Sequence, residues 1–171
     1  MTKITLFIFI ALAGLWGGTP QFRPVSGFDL ERYLGKWYEI VRFDHRFERG
    51  LTNVTATYEL SAPGRVRVIN QGYKDAPDGK HSIAKGWAKF AAASDVGYLR
   101  VSFFRPFYGD YIIVELDPDY RYALVVSSSF DYLWILSRSA QLDETIISEL
   151  LNKANALGFD ISKIIRVRQD R

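Results

Sequence analysis

Two glutamates of this 171-residue chain could perform acid–base chemistry. Glu39 lies in the strand-like run Gly35–Val41 and Glu115 in the run Tyr111–Leu116, and strict alternation places both carboxylates on the apolar side of their strands. Two carboxylates that face each other could act as general acid and general base. A structural role is the alternative, with each carboxylate held by buried water or by Arg138.

The sequence contains few other residues that could catalyse a reaction or bind a metal. The chain contains no cysteine, which excludes a disulfide, a thiol nucleophile and a thiolate metal site. The two histidines, His45 and His81, have no second nitrogen ligand nearby in the sequence, so we expect no metal and no cofactor. Because no nucleophile–base pair and no phosphate-binding loop accompanies the carboxylates, we predict that the protein is not an enzyme.

The composition favours one aromatic-rich β domain. Hydrophobic residues make up 48% of the chain and aromatic residues 15%, which indicates a folded core rather than disorder. The net charge is +3 with the two signs interspersed along the sequence, so we expect no nucleic-acid partner. A chain of this length can enclose a small barrel with a cavity.

The first 18 residues resemble a targeting segment. The apolar run Ile4–Ala13 is too short to cross a bilayer as a helix, and Ala11–Ala13 offers the small-residue pattern of a cleavage site. Two outcomes stay open, namely cleavage with release and retention as an uncleaved apolar anchor. We assign residues 1–18 to this segment, 19–27 to a linker and 28–171 to the folded domain.

Short strands recur from Gly35 onward at the spacing of an all-β barrel. We predict eight antiparallel strands in up-and-down order, which removes sheet edges and can enclose one ligand. Their predicted bounds are Gly35–Val41, Thr52–Leu60, Arg65–Tyr73, Ser82–Phe90, Tyr98–Phe104, Tyr111–Leu116, Tyr122–Ser127 and Asp131–Ser137. Helical spacing then predicts an amphipathic helix over Leu142–Leu157, capped by Ser139, stopped by Gly158 and packed outside the barrel. A brief strand, Ile164–Val167, follows.

The first strand begins with a glycine and an aromatic plug. Gly35 precedes Trp37 by two residues, and alternation directs Trp37 and Val41 into the barrel and Arg42 outward. Arg138, just after the last strand, could lay its guanidinium on the indole in a cation–π contact. Together these residues would close one end of the barrel.

Three motifs at matching places in the barrel resemble the lipocalin family. They are Gly35 and Trp37 at the first strand, Asp119 and Tyr120 at the turn between the sixth and seventh strands, and Arg138 after the eighth. The resemblance covers residues 28 to about 167 and implies that these five residues close the base of the barrel without touching ligand. An eight-stranded barrel followed by one helix is also the order of elements in that family.

Longer runs are similar to the bacterial, apolipoprotein D-like group of outer-membrane lipocalins. They span residues 35–51, 103–109 and 132–138. The resemblance implies binding, storage or transport of a fatty acid or lysophospholipid for maintenance of cell-envelope lipids, and export to the periplasm or outer membrane of a Gram-negative-type bacterium. Most members of that group are anchored through a lipidated cysteine, where this chain has Leu15. Membrane association and a homodimer are both compatible with it.

An apolar inner wall with a few polar tips suits an acyl chain. The residues that we expect to line the ligand site are Val54, Ala56, Tyr58, Val68, Asn70, Ala84, Ala88, Leu99, Val101, Phe103, Ile113, Val125, Tyr132 and Trp134. Small side chains among them favour a cavity over a filled lumen. The charged stretch His45–Arg49 and Arg105 are either head-group contacts or solvated loops. A carrier of a retinoid or tetrapyrrole is the alternative within the same fold.

Overall fold

The computed structural model describes residues 21–46 and 48–171; the targeting segment lies outside this part of the chain. The strands are β1 Gly35–Phe43, β2 Leu51–Ala62, β3 Arg65–Lys74, β4 His81–Phe90, β5 Tyr98–Phe104, β6 Phe107–Leu116, β7 Tyr122–Val126, β8 Leu133–Ser137 and β9 Ile164–Arg166. The helices are α1 Leu30–Tyr33 and α2 Glu144–Ala156, and a single 3₁₀ turn, Ile161–Lys163, precedes β9.

The first eight strands form a closed barrel. Each pairs antiparallel with its neighbour in sequence, and β1 closes the ring by pairing with both β2 and β8. The ninth strand pairs with the end of β1, at Val41 opposite Arg166. The predicted eight-stranded up-and-down barrel with a C-terminal helix outside it is therefore confirmed.

Two apolar cores lie on the two sides of the barrel wall. One fills the closed half of the barrel, and the other lies between α2 and the outer faces of β1 and β6–β8. The helix buries Ile147, Leu150 and Ala154 there. Its N-cap is Asp143, whose carboxylate accepts the Thr145 N–H at 2.7 Å, so the predicted cap at Ser139 is wrong. The helix begins after Asp143 because the carboxylate of that residue accepts a hydrogen bond from a backbone N–H that has no partner within the helix.

A β-bulge in β1 reverses two of the predicted orientations. The pairing of β1 with β8 shifts between Glu39 and Val41, so one extra residue enters the strand. Val41 consequently packs in the outer core, while Arg42 pairs with Trp134 and faces inward. Strict alternation was therefore wrong for Val41 and Arg42, because a bulge changes the face of every residue beyond it.

A second bulge turns Glu115 outward. The pairing of β6 with β7 shifts between Ile113 and Glu115, and Glu115 then forms an ion pair with Lys153 of α2 on the outside of the barrel. The prediction that Glu115 faces inward beside Glu39 is wrong for this reason. The two carboxylates of the acid–base hypothesis therefore lie on opposite sides of the barrel wall.

The segment before α1 packs along the barrel. Phe22 is buried between the rings of Phe130 and Phe159, with ring centroids 5.1 Å away in both cases. The Val25 N–H donates to the Ile113 carbonyl at 2.9 Å. Part of the segment assigned to a linker thus contributes an aromatic side chain to the outer core. Within the described residues, no helix has both the length and the apolar character needed to cross a membrane.

Candidate functional site

Arg138 closes the base of the barrel. Its guanidinium carbon lies 4.0 Å from the centroid of the Trp37 indole. The same group donates to the carbonyls of Arg32 at 2.7 Å and Lys36 at 3.0 Å, and thereby joins α1 to the start of β1. Trp37 is fully buried and donates its Nε1–H to the Tyr33 carbonyl at 2.8 Å. Gly35 has φ +93°, a backbone conformation that glycine adopts without the penalty of a Cβ.

The turn between β6 and β7 is held by a buried carboxylate. Asp117 accepts two hydrogen bonds from the Arg121 guanidinium, at 2.7 and 2.8 Å, and one from the Asp119 N–H at 3.0 Å. These bonds lower the pKa of Asp117 to about 2. Asp119 itself is exposed, whereas Tyr120 is buried and its hydroxyl accepts the Asp29 N–H at 2.8 Å. The motif residues thus connect this turn to α1.

Three tyrosines fill the closed half of the barrel. The Tyr111 hydroxyl shares hydrogen bonds with the hydroxyls of Tyr33 at 2.7 Å and Tyr58 at 2.8 Å. Burial raises the pKa of all three, so their hydroxyls stay protonated. The Tyr33 ring stacks on Trp37 with centroids 4.7 Å apart. This part of the lumen is occupied by protein side chains.

The expected wall residues divide into two groups. Those in the closed half belong to the inner core and are buried: Ala56, Tyr58, Val68, Ala88, Leu99, Ile113 and Val125. Val54 is also buried and lies against Gly72. Those in the open half are half-buried or exposed: Asn70, Ala84, Val101, Phe103, Tyr132 and Trp134. Accessible space along the inner register therefore lies in the open half.

Small side chains and a glycine line part of the open half. Ala84 lies opposite Asn70, and both side chains are small. The Phe103 ring lies over Gly86, where a Cβ would come within 2.8 Å of the ring. Phe103 keeps 36% of its surface exposed although its register directs it inward. Tyr132 and Trp134 stack on each other on another part of the wall, 5.7 Å apart.

A buried ion pair lies in the open half of the barrel. The Arg42 Nη1 donates to Glu39 Oε1 at 2.8 Å, and Arg42 is only 1% exposed. Its Nη2 donates to the Glu48 carbonyl at 2.8 Å. The Arg42 Nε is buried and has no hydrogen-bond partner among the described residues. Strict alternation along β1 directs Arg42 outward, so the sequence pattern does not indicate it as a site residue.

Glu48 collects a second set of polar contacts. Its carboxylate lies 2.8 Å from His45 Nε2 and accepts hydrogen bonds from Asn70 at 3.3 Å and from Trp134 Nε1 at 3.4 Å. The Asn70 Oδ1 is buried without a partner within residues 21–46 and 48–171. His45 and Glu48 of the loop between β1 and β2 thus reach into the open half, whereas Asp44 and Arg49 are exposed. A charged loop gives no sequence signal for such burial.

The two carboxylates of this cluster differ in acidity. Burial raises the pKa of Glu39 well above its usual range, and the nearby Glu48 adds to the effect. Burial acts in the same direction on Glu48, but the contacts with His45, Arg42 and Trp134 outweigh it and lower the pKa. Glu39 is therefore harder to ionise than Glu48, and the contact with Arg42 is what favours its ionised form. Among the described residues, no group of three His, Asp or Glu side chains could hold a metal ion.

A family model for a lipocalin-like domain matches residues 28–169, which is most of the chain. This chain is a lipocalin. It is 52% identical over 146 residues to the outer membrane lipoprotein Blc of Escherichia coli K12, covering 85% of this lipocalin and 81% of that protein. The Blc protein of Vibrio cholerae is 44% identical over 161 residues, with 94% of each chain covered.

The solved structure of insecticyanin from the tobacco hornworm Manduca sexta resembles this lipocalin in fold. Its TM-score is 0.69 with 21% identity, over 91% of this chain and 88% of that one. Lipocalins are in general binding and transport proteins. Membership of the family therefore implies that this chain binds a lipophilic ligand.

Proposed function

We propose that this lipocalin binds a fatty acid or a lysophospholipid, with the acyl chain in the open half of the barrel. The observation that carries the proposal is the accessible inner wall of Val101, Phe103, Tyr132 and Trp134 next to a buried polar cluster. Apolar side chains stabilise an acyl chain by about 0.8 kcal/mol for each methylene removed from water. The polar cluster supports a ligand with a polar head.

Two unsatisfied atoms support the choice of an amphiphile over a purely apolar ligand. The Arg42 Nε can donate one hydrogen bond and the Asn70 Oδ1 can accept one. A buried polar atom without a partner costs about 1–3 kcal/mol, and a carboxylate or phosphate head would remove that cost for the arginine. A lysophospholipid head that also contains a donor group could satisfy both atoms.

The site of action that we propose is the cell envelope. Both bacterial relatives are outer membrane lipoproteins, and the first 18 residues resemble a targeting segment. In that compartment the protein would store or move single-chain lipids for envelope maintenance, without catalysing a reaction. Fractionation of cells that express the full chain would test the location, and recovery in the cytoplasm would contradict it.

Calorimetric titration with matched ligands tests the ligand class. We expect palmitate and palmitoyl lysophosphatidylcholine to bind more tightly than hexadecanol, which has the same chain and an uncharged head. Arg42→Met should reduce the affinity for the two charged ligands and leave hexadecanol within about twofold. Equal affinity for all three ligands in the parent protein would contradict a role for the polar cluster.

Substitutions in the wall test the position of the chain. Ala84→Trp adds a large ring at an exposed position of the inner register and should abolish binding of all three ligands. Thr57→Trp adds the same ring on the outer face next to Ala56 and should have no effect; Ala56→Trp repeats the test deeper in the barrel. Arg46→Ala or Arg105→Ala should weaken binding by about 1 kcal/mol or less. Unchanged affinity in Ala84→Trp and Ala56→Trp would place the ligand outside the barrel.

Native mass spectrometry of the protein from its own cells would identify the occupant. The expected result is a mass increment of a single-chain lipid that solvent extraction removes. A coloured protein with visible absorbance would instead indicate a retinoid or tetrapyrrole and would contradict the proposal.

A further inference from the structure

The outer wall of the barrel has two different halves. Helix α2 covers the outer faces of β1 and β6–β8, whereas the outer faces of β3, β4 and β5 lie outside that core except for Tyr98 at the start of β5. Strands β3, β4 and β5 contain no aspartate or glutamate. Six basic residues lie on the outer side of these strands and in the hairpin after them: Arg65, Arg67, Lys85, Lys89, Arg100 and Arg105. We call this surface the basic face.

Three guanidinium groups of the basic face surround one indole. The guanidinium carbons of Arg67, Arg65 and Arg105 lie 5.5, 5.8 and 5.8 Å from the centroid of the Trp87 ring. Like charges gathered on one ring repel one another. Glu59 lies 3.7 Å from Arg67 and offsets part of this positive charge. This arrangement would be stabilised by an external anion.

A groove next to this indole could accept such an anion. Its volume is about 310 Å³, and it is lined by Arg67, Ile69, Lys85, Gly86 and Trp87. Two cationic side chains and an aromatic ring thus border one depression. Phosphate groups are recognised by this combination of charge and hydrogen-bond donors.

An exposed apolar hairpin adjoins the basic face at the open end of the barrel. Phe104 and Phe107 lie opposite each other where β5 turns into β6, and they are 70% and 77% exposed. Ile83, on β4, is 51% exposed. Exposed aromatic side chains beside basic residues are typical of proteins that lie on a membrane interface.

We propose that the basic face docks on the surface of a bilayer that contains anionic phospholipid, with Phe104 and Phe107 entering the interface. Charge complementarity decides this choice of partner. The whole chain carries a net charge of only +3, while the basic face gathers six basic residues beside two acids, Glu59 and Asp110. Docking in this orientation brings the open end of the barrel close to the lipid. It does not depend on the identity of the ligand in the barrel.

Vesicle co-sedimentation tests the proposal. The probes are vesicles of phosphatidylcholine with phosphatidylglycerol and vesicles of phosphatidylcholine alone, with the protein in the form that the expressing cell produces. Binding to the neutral vesicles measures any contribution of the apolar N-terminus. We expect stronger partition into the anionic vesicles, and this difference should disappear as the salt concentration rises.

Charge-matched variants locate the surface. Arg67→Gln with Lys85→Gln should lower partition into anionic vesicles about 25-fold, since each basic side chain near such a surface contributes about fivefold. Lys153→Gln with Lys163→Gln removes the same charge on the side of α2 and should change partition less than about twofold. An equal loss in both pairs would overturn the proposal, as would equal binding to both vesicle types.

The fluorescence of Trp87, which lies on the basic face, provides a second measurement. Anionic vesicles should shift the tryptophan emission of the parent protein to shorter wavelength, and Trp87→Phe should keep the partition while losing most of this shift. An unchanged shift in Trp87→Phe would overturn the assigned orientation. Binding to duplex DNA without binding to vesicles would show that the face recognises another polyanion and would also overturn the proposal. Palmitate affinity should be the same in Arg67→Gln with Lys85→Gln as in the parent.

Discussion

The base and the open half of this barrel each contain an arginine, and the two are held in different ways. At the base, Arg138 lies on the Trp37 indole and donates to backbone carbonyls. In the open half, Arg42 is paired with Glu39 and keeps an unsatisfied Nε. The base is thus a completed structural unit, whereas the open half has hydrogen-bonding capacity that a ligand can use.

The base and the open half also differ in the charge of the groups that bind each arginine. Arg138 is half-buried and its acceptors are neutral backbone carbonyls, so it needs no buried carboxylate as a partner. Arg42 requires a buried carboxylate, and burial raises the pKa of Glu39. A buried ion pair often contributes little net stability because both ions lose their hydration. Its presence in the open half therefore favours a role in recognition over a role in holding the fold.

Removal of the indole should have the largest effect on stability. Trp37→Ala leaves a large cavity and removes the surface on which Arg138 rests, so we expect unfolding to become easier by about 3–5 kcal/mol. Denaturant titration measures this difference. A midpoint equal to that of the parent would contradict a structural role for the base.

For the Arg42–Glu39 pair of the open half, replacing both partners should destabilise the protein less than replacing one. Arg42→Met leaves Glu39 buried and unpaired and should cost about 3 kcal/mol. Arg42→Met with Glu39→Met removes both charges and should recover most of that loss, while binding of charged ligands stays weak. If the double variant is as unstable as the single one, the pair holds the fold as the base does.

Asp117 at the base should contribute to the stability of the folded state in a pH-dependent way. Its pKa is about 2 in the folded state against an ordinary 3.8, so its contribution is present above pH 3.8 and is lost as the pH falls toward 2. The full shift would correspond to about 2 kcal/mol, but the Arg121 side chain is 65% exposed, so solvent screening reduces the expected contribution at neutral pH to about 1–2 kcal/mol. Asp117→Asn should lose this amount at neutral pH and approach the parent near pH 2. A difference that is constant with pH would contradict the electrostatic account.

Tyr111 lies in the closed half of the barrel, and its hydroxyl should have the smallest effect on stability. Tyr111→Phe keeps the ring and removes the hydroxyl that joins Tyr33 to Tyr58, for an expected cost of about 1 kcal/mol. Ligand affinity should change less than about twofold if the acyl chain stays in the open half. A large loss of affinity would extend the binding site into the closed half.

The sequence alone determined the architecture and the base. Alternation of apolar residues and the turns between them specify eight strands, because side chains in a strand point alternately to two faces. Gly35, Trp37 and Arg138 could be paired in advance because each lies at the end of a strand whose position is fixed by that pattern. The cation–π contact at 4.0 Å agrees with this expectation.

Only the tertiary structure decided which polar residues enter the barrel. One extra residue in β1 brings Arg42 inside, and one in β6 sends Glu115 to Lys153. A bulge leaves no reliable mark in a single sequence, since it depends on how two strands accommodate twist and packing.

The basic face is likewise formed only in the tertiary structure. Its residues are interspersed with apolar residues in the sequence and belong to three strands and the turn that follows them, so no charged run is visible there. Antiparallel pairing sets Arg65 opposite Lys89 and Arg67 opposite Trp87, and alternation directs these side chains to one side. Charge that is spread over 41 residues of chain, from 65 to 105, becomes a single surface because strand neighbours lie about 5 Å apart.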